Sequence, residues 1–265
     1  MLKDITIGQY YPVDSIIHRL DPRIKILSTF VYILSLFIVK DFTAYLYPVI
    51  FLAGVVMLSK VPPSYMLRGL KPLFLIIILT FSINIFLTKG EVIYQLGPLD
   101  VTKEGLHQAI FMGLRLILLI VGTSLLTLAT SPIQLTDGIE KILDPFKKIG
   151  VPAHELAMMM TIALRFIPTL LEETDKIMKA QMARGADFES GNILNRAKSL
   201  VPLLVPLFIS AFRRAEELAM AMEARCYRGG ENRTRMKELS FHTRDFIASV
   251  VTMLMIGAIL IDRFI

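Results

Sequence analysis

The sequence has 265 residues, of which 54% are hydrophobic, and its formal net charge is +6. Soluble domains are about 45–50% apolar. Here the apolar residues collect in long blocks with charges between them, which favours a membrane protein over a soluble one. The excess of basic residues includes no segment dense in Lys and Arg and interleaved with aromatic residues. We therefore expect no nucleic-acid partner and attribute the positive charge to membrane topology. The single cysteine, Cys226, excludes an intramolecular disulfide.

Five apolar blocks predict about five membrane spans, at residues 24–39, 44–58, 73–87, 106–129 and 246–261. The first block is short for a span, but Lys25 can extend its ammonium group toward the membrane surface. Residues 89–104 predict a small extracellular hairpin or a lid-like loop around Gly97 and Pro98. Because the first 11 residues are polar, we expect no cleavable signal peptide.

Lys and Arg are concentrated before the first block, between the second and third, and before the last. This asymmetry places the N-terminus in the cytoplasm and the C-terminus outside the cell. We therefore predict an all-α membrane protein with three parts: residues 1–130 with about four transmembrane helices, a cytoplasmic domain at 131–244, and a final transmembrane helix at 245–265. The cytoplasmic domain is expected to contain three helices, two of them long.

The pattern of the cytoplasmic segment predicts one amphipathic helix at 131–148 and two long helices, at 153–184 and about 200–226. The first long helix is expected to bend at Pro168. Both long helices change from apolar to charged along their length. Residues 199–212 are too short to cross a bilayer and include Pro202 and Pro206, so we expect them to lie against the membrane face. A loop containing Gly191-Asn192 joins the two helices, and Gly229-Gly230 follows the second.

The two long helices end alike, in Ala183-Arg184-Gly185 and in Ala224-Arg225-Cys226. An arginine at a helix C-terminus complements the helix dipole, and its planar guanidinium can bind a carboxylate through two parallel hydrogen bonds. The preceding alanine adds no bulk, so such an end could enter an acidic groove on another protein. Alternatively, Arg184 and Arg225 are ordinary capping residues. Gly185 is expected to end its helix in the left-handed conformation.

Seven methionines also fall on the two long helices. Methionine is common on surfaces that accept several partners, although it also fills cores. The sequence is compatible with a contact surface and with core filling. The seven are Met158, Met159, Met160, Met178, Met182, Met220 and Met222.

The sequence contains no Gly-Lys pair, which excludes a phosphate-binding P-loop. Its four histidines are dispersed, and the zinc-protease pattern fails after His154-Glu155. We therefore expect no metal, no cofactor and no catalytic residue. Within the predicted spans, Arg115 and Asn84 are the notable polar residues, and we favour structural pairing over substrate binding for Arg115.

Three runs of residues resemble the T-components of energy-coupling factor transporters. The first comprises residues 7–10, Asp14-Ser15 and the run from His18 to Lys25, HRLDPRIK. The second runs from Val151 to Leu156 and continues through residues 163–168. The third is the pair of Ala-Arg-Gly-type ends at 183–185 and 224–226, where Cys226 replaces the usual glycine. The resemblance covers essentially the whole chain, and its opening run is closer to the shared form that serves several S-components than to a dedicated metal-ion form.

The resemblance implies a non-enzymatic scaffold in the cell membrane. Arg184 and Arg225 would dock into grooves of two ABC-type ATPase subunits, and a separate membrane protein, the S-component, would capture a vitamin or other micronutrient. ATP-driven closure of the ATPases would then move the coupling helices and reorient the S-component. A stand-alone secondary transporter is the alternative. An integral-membrane enzyme is a third possibility, but it lacks a nucleophile and base.

Overall fold

The computed structural model describes residues 10–96, 99–186, 188, 193–230 and 239–264. Their regular elements are helices apart from one hairpin, which confirms the predicted all-α class. The first part contains α1 (Pro22–Ile38), α2 (Leu46–Ser59, preceded by a 3-10 turn at Thr43–Tyr45), α3 (Pro63–Leu70) and α4 (Phe74–Leu87). The next elements are the strands β1 (Val92–Leu96) and β2 (Leu99–Thr102), then α5 (Lys103–Ala129) and α6 (Pro132–Leu143). A 3-10 helix at Asp144–Ile149, α7 (Ala153–Ala183), α8 (Ile193–Ala224) and α9 (Thr243–Phe264) complete the chain.

The chain divides into two compact units. One consists of the described residues within 10–139 and 239–264, and we call it the membrane unit; the other consists of the described residues within 140–230, and we call it the coupling unit. The division lies within α6.

Four helical segments of the described residues are long and apolar enough to cross a membrane, Pro63–Leu87, Lys103–Ala129, Ala153–Ala183 and Thr243–Arg263, with Thr43–Ser59 as a shorter apolar helix. The predicted first span forms α1, whose 17 residues give a length of about 26 Å. Length and composition also admit α7, so the cytoplasmic location of that helix remains a prediction. The apolar window of Pro63–Leu87 has none of its residues buried, which leaves that segment open to lipid or to a partner.

The hairpin predicted between the third and fourth spans is confirmed. β1 and β2 pair antiparallel, with Gln95 opposite Asp100 and Leu96 opposite Leu99. The predicted turn residues Gly97 and Pro98 lie outside the described residues, and the side of the membrane on which the hairpin lies remains a prediction.

The core of the membrane unit lies where α1, α2 and α5 meet. Tyr32 and Leu36 of α1 are almost fully buried, and they belong to one cluster with Leu52 of α2 and Leu125 of α5. Gly122 of α5 permits this approach, because a Cβ there would lie 2.4 Å from the Tyr32 ring. The Tyr32 hydroxyl donates to the Leu118 carbonyl at 3.1 Å, so the buried polar group is satisfied.

Arg115 pairs within the membrane unit, as the sequence favoured. Its Nε donates to the Tyr45 hydroxyl at 3.2 Å and its Nη2 to the Val39 carbonyl at 3.1 Å. The guanidinium also lies 5.0 Å from the Phe111 ring centroid. Asn84 donates to the Thr80 carbonyl of its own helix at 2.7 Å. These contacts satisfy the polar groups that would otherwise be costly in hydrocarbon.

The run from His18 to Lys25 forms a polar junction that we call the N-terminal clamp. Asp21 caps α1 and accepts two hydrogen bonds from the Arg23 guanidinium, at 3.0 and 2.8 Å. The Lys25 ammonium donates to the carbonyls of His18 and Ala129, at 2.9 and 3.0 Å. Burial would raise the pKa of Asp21, but the hydrogen bonds from Arg23 hold it below its ordinary value.

Asp245 connects this clamp to the last helix. Its carboxylate is 2% exposed and accepts from the backbone N–H of Asp21 at 2.7 Å and of His242 at 2.8 Å. The first of these hydrogen bonds joins positions 224 residues apart. It fixes the start of α9 against the start of α1.

Candidate functional site

The candidate site consists of the two helix ends of the coupling unit, at Ala183-Arg184-Gly185 and Ala224-Arg225-Cys226. α7 ends at Ala183 and α8 at Ala224. α7 thus ends one residue before the predicted Arg184, and α8 one residue before the predicted end around Arg225-Cys226. In each case the arginine stands at the C-cap position and the next residue takes positive φ, +88° at Gly185 and +53° at Cys226.

The same pair of hydrogen bonds closes the two ends. After α7, Gly185 N–H donates to the Met182 carbonyl and Ala186 N–H to that of Gln181, both at 3.0 Å. After α8, Cys226 N–H donates to the Glu223 carbonyl at 2.8 Å and Tyr227 N–H to that of Met222 at 3.0 Å. This pattern is the Schellman motif. Cys226 thus adopts the same helix-ending geometry as Gly185, although a residue with a Cβ adopts it less readily.

Both arginines are exposed, and so are the alanines before them. Within the part of the chain that the structure describes, neither guanidinium has a hydrogen bond or an ion pair with another group. Cys226 is an exposed free thiol. Each helix therefore ends in an unoccupied five-donor group beside a small side chain, an arrangement that can receive a carboxylate from another molecule.

α7 and α8 pack antiparallel through polar contacts at their middle. Glu173 accepts from Arg214 Nη2 at 3.0 Å and from the Ser210 hydroxyl. Gln181 Nε2 lies 3.5 Å from the Pro202 carbonyl. That carbonyl lacks its usual helical donor, because the residue four positions later is Pro206. α8 nevertheless continues through both prolines, as α7 continues through Pro168.

The pair Glu173–Arg214 lies midway between the two candidate ends. Arg184 is 11 residues beyond Glu173, and Arg225 is 11 residues beyond Arg214. At 1.5 Å per residue each end lies about 16 Å along its helix from the ion pair, in opposite directions. The two arginines are therefore separated by up to about 33 Å. The sequence reasoning missed Glu173 and Arg214, yet aligning the two similar helices on their arginines would have placed opposite charges at matching positions.

A second polar cluster lies at the other end of α7. His154 Nδ1 is 3.1 Å from Glu140 Oε1, and Gly230 packs on the imidazole so closely that a Cβ there would lie 2.5 Å from it. The chain after α8 therefore returns to the start of α7. Nearby, burial opposes ionisation of Asp144, but hydrogen bonds from Lys147 and Lys141 hold its pKa below the ordinary value. Sequence reasoning gave none of these residues a role.

None of the seven methionines on the two long helices is buried. Met159, Met182 and Met220 are at least half exposed, and the other four are partly or mostly accessible. This favours a contact surface over core filling. The first half of α8 also exposes large apolar side chains at helical spacing: Leu200, Leu204, Phe208 and Phe212, with Val201, Val205 and Ile209 beside them.

Among the described residues, no three His, Cys, Asp or Glu side chains converge as a metal site would require. The loop residues Gly191 and Asn192 lie outside the described part of the chain, as do residues 7–9 of the opening run.

Comparison with known proteins gives a consistent result. The sequence profile of the CbiQ family, described as cobalt transport protein, matches residues 14–236. The chain is 66% identical over 264 residues to the energy-coupling factor transporter transmembrane protein EcfT of Thermosediminibacter oceani, covering 100% of both chains. It is 62% identical over 265 residues to the EcfT of Clostridium kluyveri, covering 99% of this chain and 98% of the other. To the EcfT of Bacillus subtilis it is 50% identical over 261 residues, 98% of each chain.

Proposed function

The chain belongs to the CbiQ family, as a transmembrane component of energy-coupling factor transporters, and on that premise we propose that it couples two ABC-type ATPase subunits to a substrate-binding S-component. In this proposal, Arg184 engages one ATPase and Arg225 the other. The chain itself is a non-catalytic, multi-pass membrane subunit, and the imported micronutrient is chosen by the S-component.

The observation that carries the proposal is the equivalence of the two helix ends. Both have the same hydrogen-bonded geometry, both present an exposed arginine, and they lie equally far from the central ion pair in opposite directions. One acidic groove cannot receive both ends if they are about 30 Å apart. Two grooves, one on each member of an ATPase pair, match this arrangement.

Arginine suits this role better than lysine. Its planar guanidinium can bind a carboxylate through two hydrogen bonds, which fixes direction as well as distance. A contact that transmits motion requires a fixed direction, because a swivelling contact would absorb the displacement. The ion pair of Glu173 with Arg214 holds the two helices together at their middle, so that displacement of one end is passed to the other helix.

In this proposal the S-component is a further partner of the coupling unit. The apolar row of Leu200, Leu204, Phe208 and Phe212 supports this assignment, because so large an exposed apolar surface marks a contact with protein or membrane. Lys and Arg in the short links of the membrane unit support a cytoplasmic N-terminus and an extracellular C-terminus.

The test is substrate uptake by the reconstituted transporter, containing both ATPases and an S-component in liposomes. Reversing both charges, with Arg184→Glu and Arg225→Glu, should lower ATP-driven uptake at least about 100-fold, since each change removes a charged hydrogen bond and adds a repulsive charge. The thermal stability of the isolated chain should stay within about 0.5 kcal/mol, because neither side chain is buried.

The matched control reverses two other exposed charges on the same helices, with Lys179→Glu and Arg213→Glu, and should retain uptake within about twofold. Unchanged uptake in the Arg184/Arg225 variant would contradict the proposal, and so would an equal loss in the control. The chain alone in liposomes should move no substrate along a gradient. If it did, the stand-alone transporter would be the better account.

A further inference from the structure

The membrane unit contains an apolar cavity of about 200 Å³ between α1, α2, α5 and α9. Apolar side chains from all four helices line it, among them Ile24, Phe51, Val55, Leu126 and Val251. It is partly open to the outside of the protein rather than enclosed.

Apart from Arg244, the polar side chains in the cavity wall already have partners. Lys25 donates to two backbone carbonyls, and Tyr32 donates to the Leu118 carbonyl. Thr252 donates to Ser28 at 3.2 Å, and Thr29 to the Lys25 carbonyl at 2.8 Å. The interior therefore offers little to a polar ligand, and it suits an occupant without hydrogen-bonding groups.

On one side, the apolar cavity is bordered by charged residues. A second cavity of about 340 Å³ adjoins it and shares Ile16, Leu58 and Arg244 with its wall. The charged residues of the second cavity are Asp14, Arg19, Lys60 and Arg244, three cations and one carboxylate, for a net charge of +2.

The pairing within the second cavity leaves two cations available. Arg19 forms an ion pair with Asp14. Lys60 and Arg244 form no hydrogen bond or ion pair through their side chains within the described residues. Lys60 follows the last residue of α2 and Arg244 is the second residue of α9. Both therefore stand at ends of membrane helices, where headgroups lie.

We propose that these two cavities together bind one anionic glycerophospholipid. An acyl chain occupies the apolar cavity, and the headgroup phosphate lies between Lys60 and Arg244. The site matches this ligand in both of its parts, because an apolar slot continues directly into a cationic rim.

The test titrates the purified full-length chain in detergent with dioleoyl phosphatidylglycerol or dioleoyl phosphatidylcholine and counts bound lipid by native mass spectrometry. The wild-type chain should prefer phosphatidylglycerol about 25-fold. Replacing Lys60→Gln and Arg244→Gln together should weaken phosphatidylglycerol binding about 25-fold, or about fivefold for each charge. Binding of phosphatidylcholine should not change.

The matched control removes two other basic residues near the ends of neighbouring helices, with Arg68→Gln and Lys71→Gln, neither of which lines the cavities. It should change the affinity for phosphatidylglycerol less than about twofold. Equal affinity of the wild-type chain for the two lipids would overturn the proposal. An equal loss in the control variant would do the same, since it would indicate a diffuse surface effect.

The apolar part of the site is tested separately. Ala248→Phe places a ring in the cavity and should lower binding of both lipids, whereas Ala258→Phe on the same helix, outside the cavity wall, should not. A photo-crosslinking residue in place of Val251 identifies the occupant in native membranes. Capture of phospholipid supports the proposal, and capture of a polypeptide instead would overturn it.

Discussion

The N-terminal clamp and the two helix ends of the coupling unit use the same charged side chain in opposite ways. In the clamp, the Arg23 guanidinium donates through Nε and Nη2 to Asp21 and through Nη2 to the Leu239 carbonyl, and its face lies 4.0 Å from the Phe241 ring centroid. Arg184 and Arg225 carry the same planar guanidinium group but have no such partners among the described residues. A basic motif can therefore hold a chain together or be left available for another molecule, and the carboxylates around it decide which.

This contrast predicts opposite outcomes for mutations in the two regions. The clamp should be sensitive in stability, because its groups are buried and mutually satisfied. The helix ends should be sensitive in transport and nearly silent in stability. The uptake experiment with Arg184→Glu and Arg225→Glu has the largest expected effect.

Asp245→Ala should destabilise the chain by about 3 kcal/mol, because it leaves the buried backbone N–H of Asp21 and the part-buried N–H of His242 without an acceptor. Arg184→Ala, at an exposed position, should change stability by no more than about 0.5 kcal/mol. The free energy of unfolding in detergent micelles measures both. Similar values for the two variants would remove the distinction between the regions.

The helical elements of the fold could be predicted from the sequence. They are determined locally by the length and hydropathy of each segment and by the Gly and Pro residues at its ends. The predicted helix at 153–184 is α7, Ala153–Ala183, and Gly185 ends it in the predicted left-handed conformation. The block at 106–129 lies within α5, and the hairpin between spans was also correct. α8 begins earlier than expected, at Ile193, since the apolar pattern on which the prediction depended starts only at Leu200.

The pairing of distant charges did not follow from the sequence. Asp21 and Asp245 are both acidic, so nothing local indicates that the backbone of one donates to the carboxylate of the other. The sequence singled out Arg184 and Arg225 as possible docking residues but could not distinguish them from capping residues. Only the absence of internal partners in the described structure separates them from Arg23. The antiparallel packing of α7 and α8 was equally hidden, because it depends on Glu173 meeting Arg214.

The two helix ends also differ from each other in the residue after the arginine, and this difference should have a smaller effect on stability. Cys226→Gly should stabilise the chain by about 0.5–1 kcal/mol, because glycine adopts positive φ without a steric penalty. Gly185→Cys should destabilise it by a similar amount at the matching position. Thermal unfolding of the two variants compares them directly. A destabilising Cys226→Gly would show that the thiol makes a contact that outweighs its backbone strain.

The smallest effect concerns pH and the clamp. Burial lowers the pKa of His18 below its ordinary value of 6.5, so the unfolded chain takes up this proton first as the pH falls. Stability should therefore decrease as the pH drops through about 6.5 toward the lower pKa of the folded state, and the loss should then level off. His18→Gln cannot titrate. Its Tm should fall less than that of the wild-type chain between pH 8 and pH 5.5, by at most about 3 °C. Parallel curves for the two proteins would contradict this assignment.

The most direct test of the account uses the single thiol of the chain. Cys226 is exposed and adjoins Arg225, so its alkylation rate reports whether that helix end is covered. Adding the two ATPase subunits should slow the modification at least about tenfold. The same protection should appear when the thiol is moved to the other end, in a chain carrying both Gly185→Cys and Cys226→Gly. Alkylation at an unchanged rate in the assembled transporter, at either end, would contradict the claim that each arginine docks on its own ATPase.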